Sequence, residues 1–320
     1  MQKVFGKWSC CTIAHNSSYI ASFGTGVTVL DRYSLEQICH FTGLRSIHGG
    51  VFVSDDVLMV YTGEQRLYFL QISSKSIIWE CARPRELASC GDMRCCLIPG
   101  IEKAAIIARG KKSLNEHYLL LADYQNKSLS ISLIPDVYRV TQALTYTPEL
   151  GLHFLSSQGE EGKLLYMLTS ISENGESSCL CRWESREEIV LYTGRHIFAC
   201  DHSATDLRAS LCPVSFEKAE GILSFGAKQC LPLPVFEFKS FGGVKKLLPR
   251  IIRADEERKF FAAAHENWLG VYSLEKAELL AEYELTYPQC CRIIDGRLFV
   301  GCLPGLYVED EFISGINKKE

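Results

Sequence analysis

Residues 251–285 read IIRADEERKFFAAAHENWLGVYSLEKAELLAEYEL, and this stretch decides the fold. Ile251 and Ile252 open a short apolar segment, and the polar run 254–259 follows as a turn. Residues 260–264 are apolar again, His265-Glu266-Asn267 interrupt them, and 268–274 resume. Glu275-Lys276 make a second polar turn before 279–285 close the unit. Four apolar runs of strand length between tight polar turns predict a four-stranded antiparallel meander. One meander leaves both of its faces bare, so copies of it must stack on one another.

The copies are present. Residues 18–42 read YIASF, VTVLD and QICHF between polar turns, and 50–81 read GVFV, VLMVYT, LYFLQI and IIWEC. RCCLI, KAAIIA, YLLLAD and LSISL form a third unit, interrupted by a polar insert over 109–117. QALTY, LHFLS, KLLYMLTSI and SCLCRW form a fourth, and EIVLYT, HIFACD and LRASLCPV open a fifth. The fifth dissolves after residue 215. Pro232 and Pro234 forbid a regular central strand, so about 216–247 read as an outer strand plus an irregular insertion. CCRIID, LFVGC and LYVED give a seventh unit of three strands. The third strands end at Asp31, Gln71, Asp123 and Ser273, the first three 40 and then 52 residues apart. Four strands per 40–50 residues is the period of a propeller.

The expected fold class is therefore all-β: one seven-bladed β-propeller over residues 1–320, of four-stranded antiparallel blades. The seventh unit lacks a strand, and residues 2–5 are a strand-like segment without a unit. This predicts that the N-terminal strand closes the ring by pairing with residues 305–309, while the tail over 312–320 contributes little.

The segments DDVLMVYTGEQRLYFLQISSKSIIWE and EERKFFAAAHENWLGVYSLEKAELLAEYE resemble WD-repeat blades. Ser54-Asp55-Asp56 and Ala254-Asp255-Glu256 stand where that family has its turn before the second strand. Leu30-Asp31, Leu70-Gln71, Ala122-Asp123 and Tyr272-Ser273 stand where its Trp-Asp pair ends the third. No Trp-Asp or Gly-His pair occurs, so the family's internal hydrogen-bond network is expected only in part. The resemblance is to a divergent, bacterial, WD-like propeller, and it implies a scaffold or binding role and no reaction.

With 320 residues, 47% hydrophobic and 22% charged, the composition is that of an ordinary globular domain. A net charge of −4 with scattered basic residues argues against nucleic acid as a partner. No apolar run approaches the ~18 residues of a membrane helix. MQKVFGKWSCC has no secretory apolar core, and the expectation is a cytoplasmic protein, monomeric by itself, with no membrane partner. Fifteen cysteines, three pairs of them adjacent, read as small buried hydrophobes in a reducing compartment. Zinc would want paired C-x2-C ligands, and there are none.

No catalytic motif stands out, so the expectation is no enzyme and no cofactor. Gly110-Lys111-Lys112-Ser113 has Ala105 where a phosphate loop needs its first glycine. His265-Glu266 lacks a second histidine one helical turn on, and no G-x-S-x-G is present. Asp55-Asp56 and Glu309-Asp310-Glu311 lie in turns or near the tail and read as solvated faces. What remains is a protein-interaction scaffold or binding module, a partner, inhibitor or immunity-type protein, contacting an unidentified protein. Arg45, His48, Arg83, Arg85 and Arg292 fall near the loops that lead into the innermost strands. They are the expected partner-binding patch, against the alternative of ordinary solvated charges. The alternative function is a ligand-binding or enzymatic propeller with its site in the central channel.

Overall fold

The computed structural model describes residues 1–88, 93–98, 103–113, 115–135, 137, 139–140, 144–160, 163–172, 176–201, 207–217, 220, 222–240 and 243–312. Of the tail expected to be loose over 312–320, Phe312 is instead buried in the core between blades six and seven, and 313–320, like Cys90, lie outside the described residues.

Each polar turn of the sequence becomes a reversal between antiparallel strands. Ahead of the first blade lies β1 (Gln2–Phe5). Blade one is β2 (Thr12–His15), β3 (Tyr19–Phe23), β4 (Val27–Asp31) and β5 (Gln37–Phe41). Blade two is β6 (Ile47–Phe52), β7 (Val57–Thr62), β8 (Leu67–Gln71) and β9 (Ser76–Cys81). Blade three is β10 (Met93–Ile98), β11 (Lys103–Arg109), β12 (His117–Asp123) and β13 (Ser128–Ile134). Blade four has a divided inner strand, β14 (Arg139–Val140) and β15 (Thr145–Thr147), then β16 (Gly151–Glu160), β17 (Lys163–Ile171) and β18 (Ser177–Ser185).

Blade five is β19 (Glu188–Tyr192), β20 (His196–Asp201) and β21 (Arg208–Glu217), with two short outer strands, β22 (Ile222–Phe225) and β23 (Gln229–Leu231). Both pair with the ten-residue β21, one along each half of it. Pro232 and Pro234 follow at once, and the chain then makes a separate ribbon, β24 (Phe236–Ser240) with β25 (Gly243–Leu247). The irregular stretch expected over 216–247 is therefore an outer edge plus a two-stranded ribbon. Blade six is β26 (Arg250–Asp255), β27 (Phe260–His265), β28 (Trp268–Ser273) and β29 (Leu279–Glu284). Blade seven is β30 (Pro288–Ile294), β31 (Arg297–Cys302) and β32 (Gly305–Glu309), completed by β1.

The ring closes as the strand count predicts. Gln2 pairs with Val308 and Lys3 with Tyr307, and after a bulge Phe5 pairs with Leu306. The Met1 ammonium lies 2.9 Å from a Glu309 carboxylate oxygen. Seven apolar cores fill the seven gaps between neighbouring blades, the last joining Ile13 and Ile20 of blade one to Phe299 and Val308 of blade seven. Alternation along each middle strand serves two cores at once.

The turn chemistry falls where the sequence places it. Asp31 Oδ1 accepts the backbone N–H groups of Tyr33 and Ser34 at 3.0 and 2.8 Å, and Asp123 Oδ1 accepts that of Asn126 at 3.0 Å. Ser54 Oγ accepts from Val57 N–H and Asp255 Oδ1 from Arg258 N–H. Each side chain replaces a backbone partner that the reversal leaves without one. Leu35, Lys75, Lys127 and Ala277 occupy equivalent turns between third and fourth strands, with φ between 47° and 61°. The same left-handed residue in four blades is the structural signature of the repeat.

Candidate functional site

In such a ring, the loops that lead into inner strands and the turns between second and third strands share one face, called here the upper face. The remaining turns form the lower face. Arg45 precedes β6, and Arg83 and Arg85 precede β10; all three are exposed on the upper face of neighbouring blades. The loop carrying Arg83 and Arg85 is pinned from below by the buried Gln65 side chain. Its amide Nε2 donates to Ala88 O at 2.8 Å and to Arg109 O at 3.1 Å, and its Oε1 accepts from Arg109 N–H. His48 lies on β6 beside the turn glycine Gly63, also toward the upper face.

Arg292 does not join them. It is the fifth residue of β30, not part of the loop before it, and each strand residue advances the chain about 3.3 Å. That places it roughly 13 Å below the first residue of the strand. There it is half-buried, with Nε 3.4 Å from Ile13 O of blade one. Of the five residues expected to form one patch, Arg45, His48, Arg83 and Arg85 lie toward the upper face, and Arg292 lies inside the ring instead.

A second upper-face feature comes from blade six and the ribbon. Phe236 and Glu237 of β24, the turn residues His265, Glu266, Asn267 and Trp268, and Glu282, Tyr283 and Glu284 of β29 line a cleft of about 560 Å3. The ribbon is held there by Phe236, whose ring centroid lies 4.2 Å from His265 and 5.6 Å from Trp268. Aromatic contacts continue inward through Tyr272 and Phe261 to Phe198 of blade five. The cleft therefore rests on the core instead of on a loose loop. Register explains its acidity. Tyr283 packs toward blade seven, so its neighbours Glu282 and Glu284 face the opposite way, toward the ribbon.

Four acidic residues thus line a cleft that Phe236 and Trp268 also line. The Trp268 indole N–H donates to Glu282, and Glu237 stands opposite Lys246 in the ribbon. Glu266 and Glu284 are exposed and have no ion-pair partner among the described residues. Beside the cleft the ribbon exposes Phe238, Val244 and Leu247, and Val235 just ahead of it is exposed as well, each more than 40% accessible. Apolar side chains of this size beside a charged cleft are the composition of a docking surface.

The sequence reading missed this cleft. Its residues come from three separate stretches, and each of these reads alone as an ordinary turn or a solvated strand face. The one signal on offer was Glu282-Tyr283-Glu284, which puts acids at alternate positions of an outer strand.

Among the described residues, no three His, Cys, Asp or Glu side chains are placed to hold a metal ion. No helix among them is long and apolar enough to cross a membrane. No protein-family model and no curated protein matches the chain.

Proposed function

We propose that this propeller is a non-catalytic protein-interaction module that binds a basic, extended segment of a partner protein in the cleft between the ribbon and blade six. The observation that carries the reading is the meeting of Glu237, Glu266, Glu282 and Glu284 with Phe236 and Trp268 around one cleft. Carboxylates attract lysine and arginine head groups, and the aromatic faces accept their cationic ends and aliphatic stems. The apolar ribbon alongside supplies area beyond the charge contacts. The partner expected is thus basic, whereas arginines on the upper face would suit an acidic one.

WD-repeat kinship and a bacterial source belong to the same proposal. The side-chain-capped turns at Ser54, Asp31, Asp123 and Asp255 support the WD-repeat kinship. The role that fits is a rigid disc presenting one face to a partner, as an inhibitor or immunity-type protein does.

The test is fluorescence anisotropy with a lysine- and arginine-rich peptide and its acidic counterpart. Only the basic peptide should bind, with affinity falling as salt rises. Glu266→Lys with Glu284→Lys should abolish binding, while Arg45→Glu with Arg85→Glu should leave it intact. The reverse pattern would move the site to the arginines.

A further inference from the structure

The lower end of the central channel holds a second charge cluster, of opposite sign. Arg253 of β26 and Arg292 of β30 come from inner strands of adjacent blades, and β2 of blade one packs on the other side of β30. Two more guanidinium groups, Arg32 and Arg258, stand close enough to act on His15 at the end of β2. Among the described residues three carboxylates answer these four cations, and all are committed; Glu257, itself exposed, lies 3.7 Å from Arg258. Asp295 is engaged twice by Arg32, at 2.6 and 2.7 Å. Asp255 accepts the backbone N–H of Arg258 at 3.0 Å and its guanidinium at 3.3 Å.

Arg253 and Arg292 are left short of partners. The Nη2 of Arg253 reaches Asp255 only at 4.0 Å, outside hydrogen-bond distance. Its Nε is sealed from solvent with no hydrogen-bond partner. The Nε of Arg292 makes one long bond to Ile13 O. A guanidinium stays charged at any physiological pH, so neither group escapes by losing its proton. Burial and then the charge of Arg292 push the Arg253 pKa down to about 10, and burial also lowers that of Arg292. Nearby, the Tyr61 hydroxyl lies over Gly49 beside Thr12, within the field of Arg292.

We propose that the lower channel is a binding site for a small oxyanion, a carboxylate or phosphate group, gripped by Arg253 and Arg292. Planar guanidinium groups offer parallel N–H donors that match two oxygens of such an anion, and the anion supplies the charge that the cluster lacks. The neighbouring Asp255 is engaged by Arg258 and makes no hydrogen bond to Arg253, so it does not take the ligand's place. This site is independent of the partner cleft: it lies at the opposite end of the ring and shares no residue with it.

The experiment is titration calorimetry with thermal unfolding, using inorganic phosphate and citrate as probes against chloride at matched ionic strength. The wild-type protein should bind one anion and gain melting temperature, because a ligand that binds only the folded state stabilises it. A response to phosphate alone assigns a phosphoryl ligand, and a response to citrate alone a carboxylate. Arg253→Met and Arg292→Met should each weaken binding at least tenfold, while the ligand-free variants melt no lower than wild type because a repulsion is gone. Arg292→Lys should recover part of the affinity. If the methionine variants do not fold, the His15 ring resonances of wild type serve instead, and they should shift on anion addition. No response beyond chloride, or an equal response in Arg253→Met with Arg292→Met, would overturn the proposal. Glu266→Lys with Glu284→Lys should leave anion binding unchanged whether or not the cleft binds peptides.

Discussion

Phe260 and Phe261 are consecutive in the chain yet belong to different cores, Phe260 between blades six and seven and Phe261 between blades five and six. Both are essentially inaccessible, at 1% and 0%. The strand between them is a wall shared by two compartments. Phe260→Ala and Phe261→Ala should each cost about 3–5 kcal/mol. Chemical denaturation checks this, and values within about half a kcal/mol of wild type would mean that the stacking is wrong.

Removing residues 1–6 should cost about 3 kcal/mol or more, since it strips Val4 and Phe5 from the core between blades seven and one and bares the edge of β32. Size-exclusion chromatography should show association through that edge. A truncated chain that stays monomeric with an unchanged melting temperature would contradict closure by β1.

Gly301 of β31 leaves no room for a side chain. An added Cβ would lie 2.5 Å from Cys10 Sγ, 2.6 Å from Cys290 Sγ and 2.8 Å from the Cys10 carbonyl oxygen. Gly301→Ala should therefore destabilise by about 1–3 kcal/mol through overpacking. Cys290→Ala in the same chain should recover part of the loss, as thermal unfolding of the double variant would reveal.

His15 should remain neutral well below the ordinary range. Burial first, and then the charges of Arg292, Arg32 and Arg258, push its pKa down to about 4. An unfolded histidine titrates near 6.5, so between about 4 and 6.5 the unfolded chain binds the extra proton. This group therefore makes stability rise with pH across that window and adds no slope above it. Titration of the His15 ring by NMR should give a midpoint near 4, and His15→Gln should remove that part of the slope. A midpoint near 6.5 would show that neither burial nor the cations act on it.

All described cysteines are free, and their reactivity should sort by exposure. Cys11, Cys179 and Cys230 are exposed. Burial raises the Cys200 pKa to about 11 and that of Cys302 to about 12. Thiolates are the reactive form, so a thiol reagent at pH 8 should mark the exposed three first. Peptide mapping that finds Cys200 or Cys302 modified as quickly would disprove the ordering.

Most of the architecture was legible because a propeller writes itself locally. Each strand is a short apolar run, each turn a polar break, and Phe260-Phe261 announced a strand covered on both faces. Closure was legible as well, by counting strands. The divided inner strand of blade four was not, since Arg139-Val140 and Thr145-Tyr146-Thr147 are too short to stand out from their surroundings. The candidate sites were harder for a different reason. Arg292 looks in sequence like one more charge near a loop, and only its place as the fifth residue of β30, packed beside β2, puts it inside the ring. The cleft joins residues of 236–237 to others of 265–268 and 282–284, a meeting that depends on where an irregular ribbon comes to rest.

The pairing of Gln2 with Val308 also sets an order of events in time. On the ribosome, six blades are assembled from strands that emerge one after another, but β1 emerges first and must wait for β32, nearly the whole chain later. Contacts so distant in sequence form late. Throughout synthesis β1 is an unmated edge strand, the kind of segment that recruits other chains. QKVF is short and carries a lysine in its middle, both of which discourage such pairing. The segment that seals the finished ring is thus built to remain solitary until its partner exists.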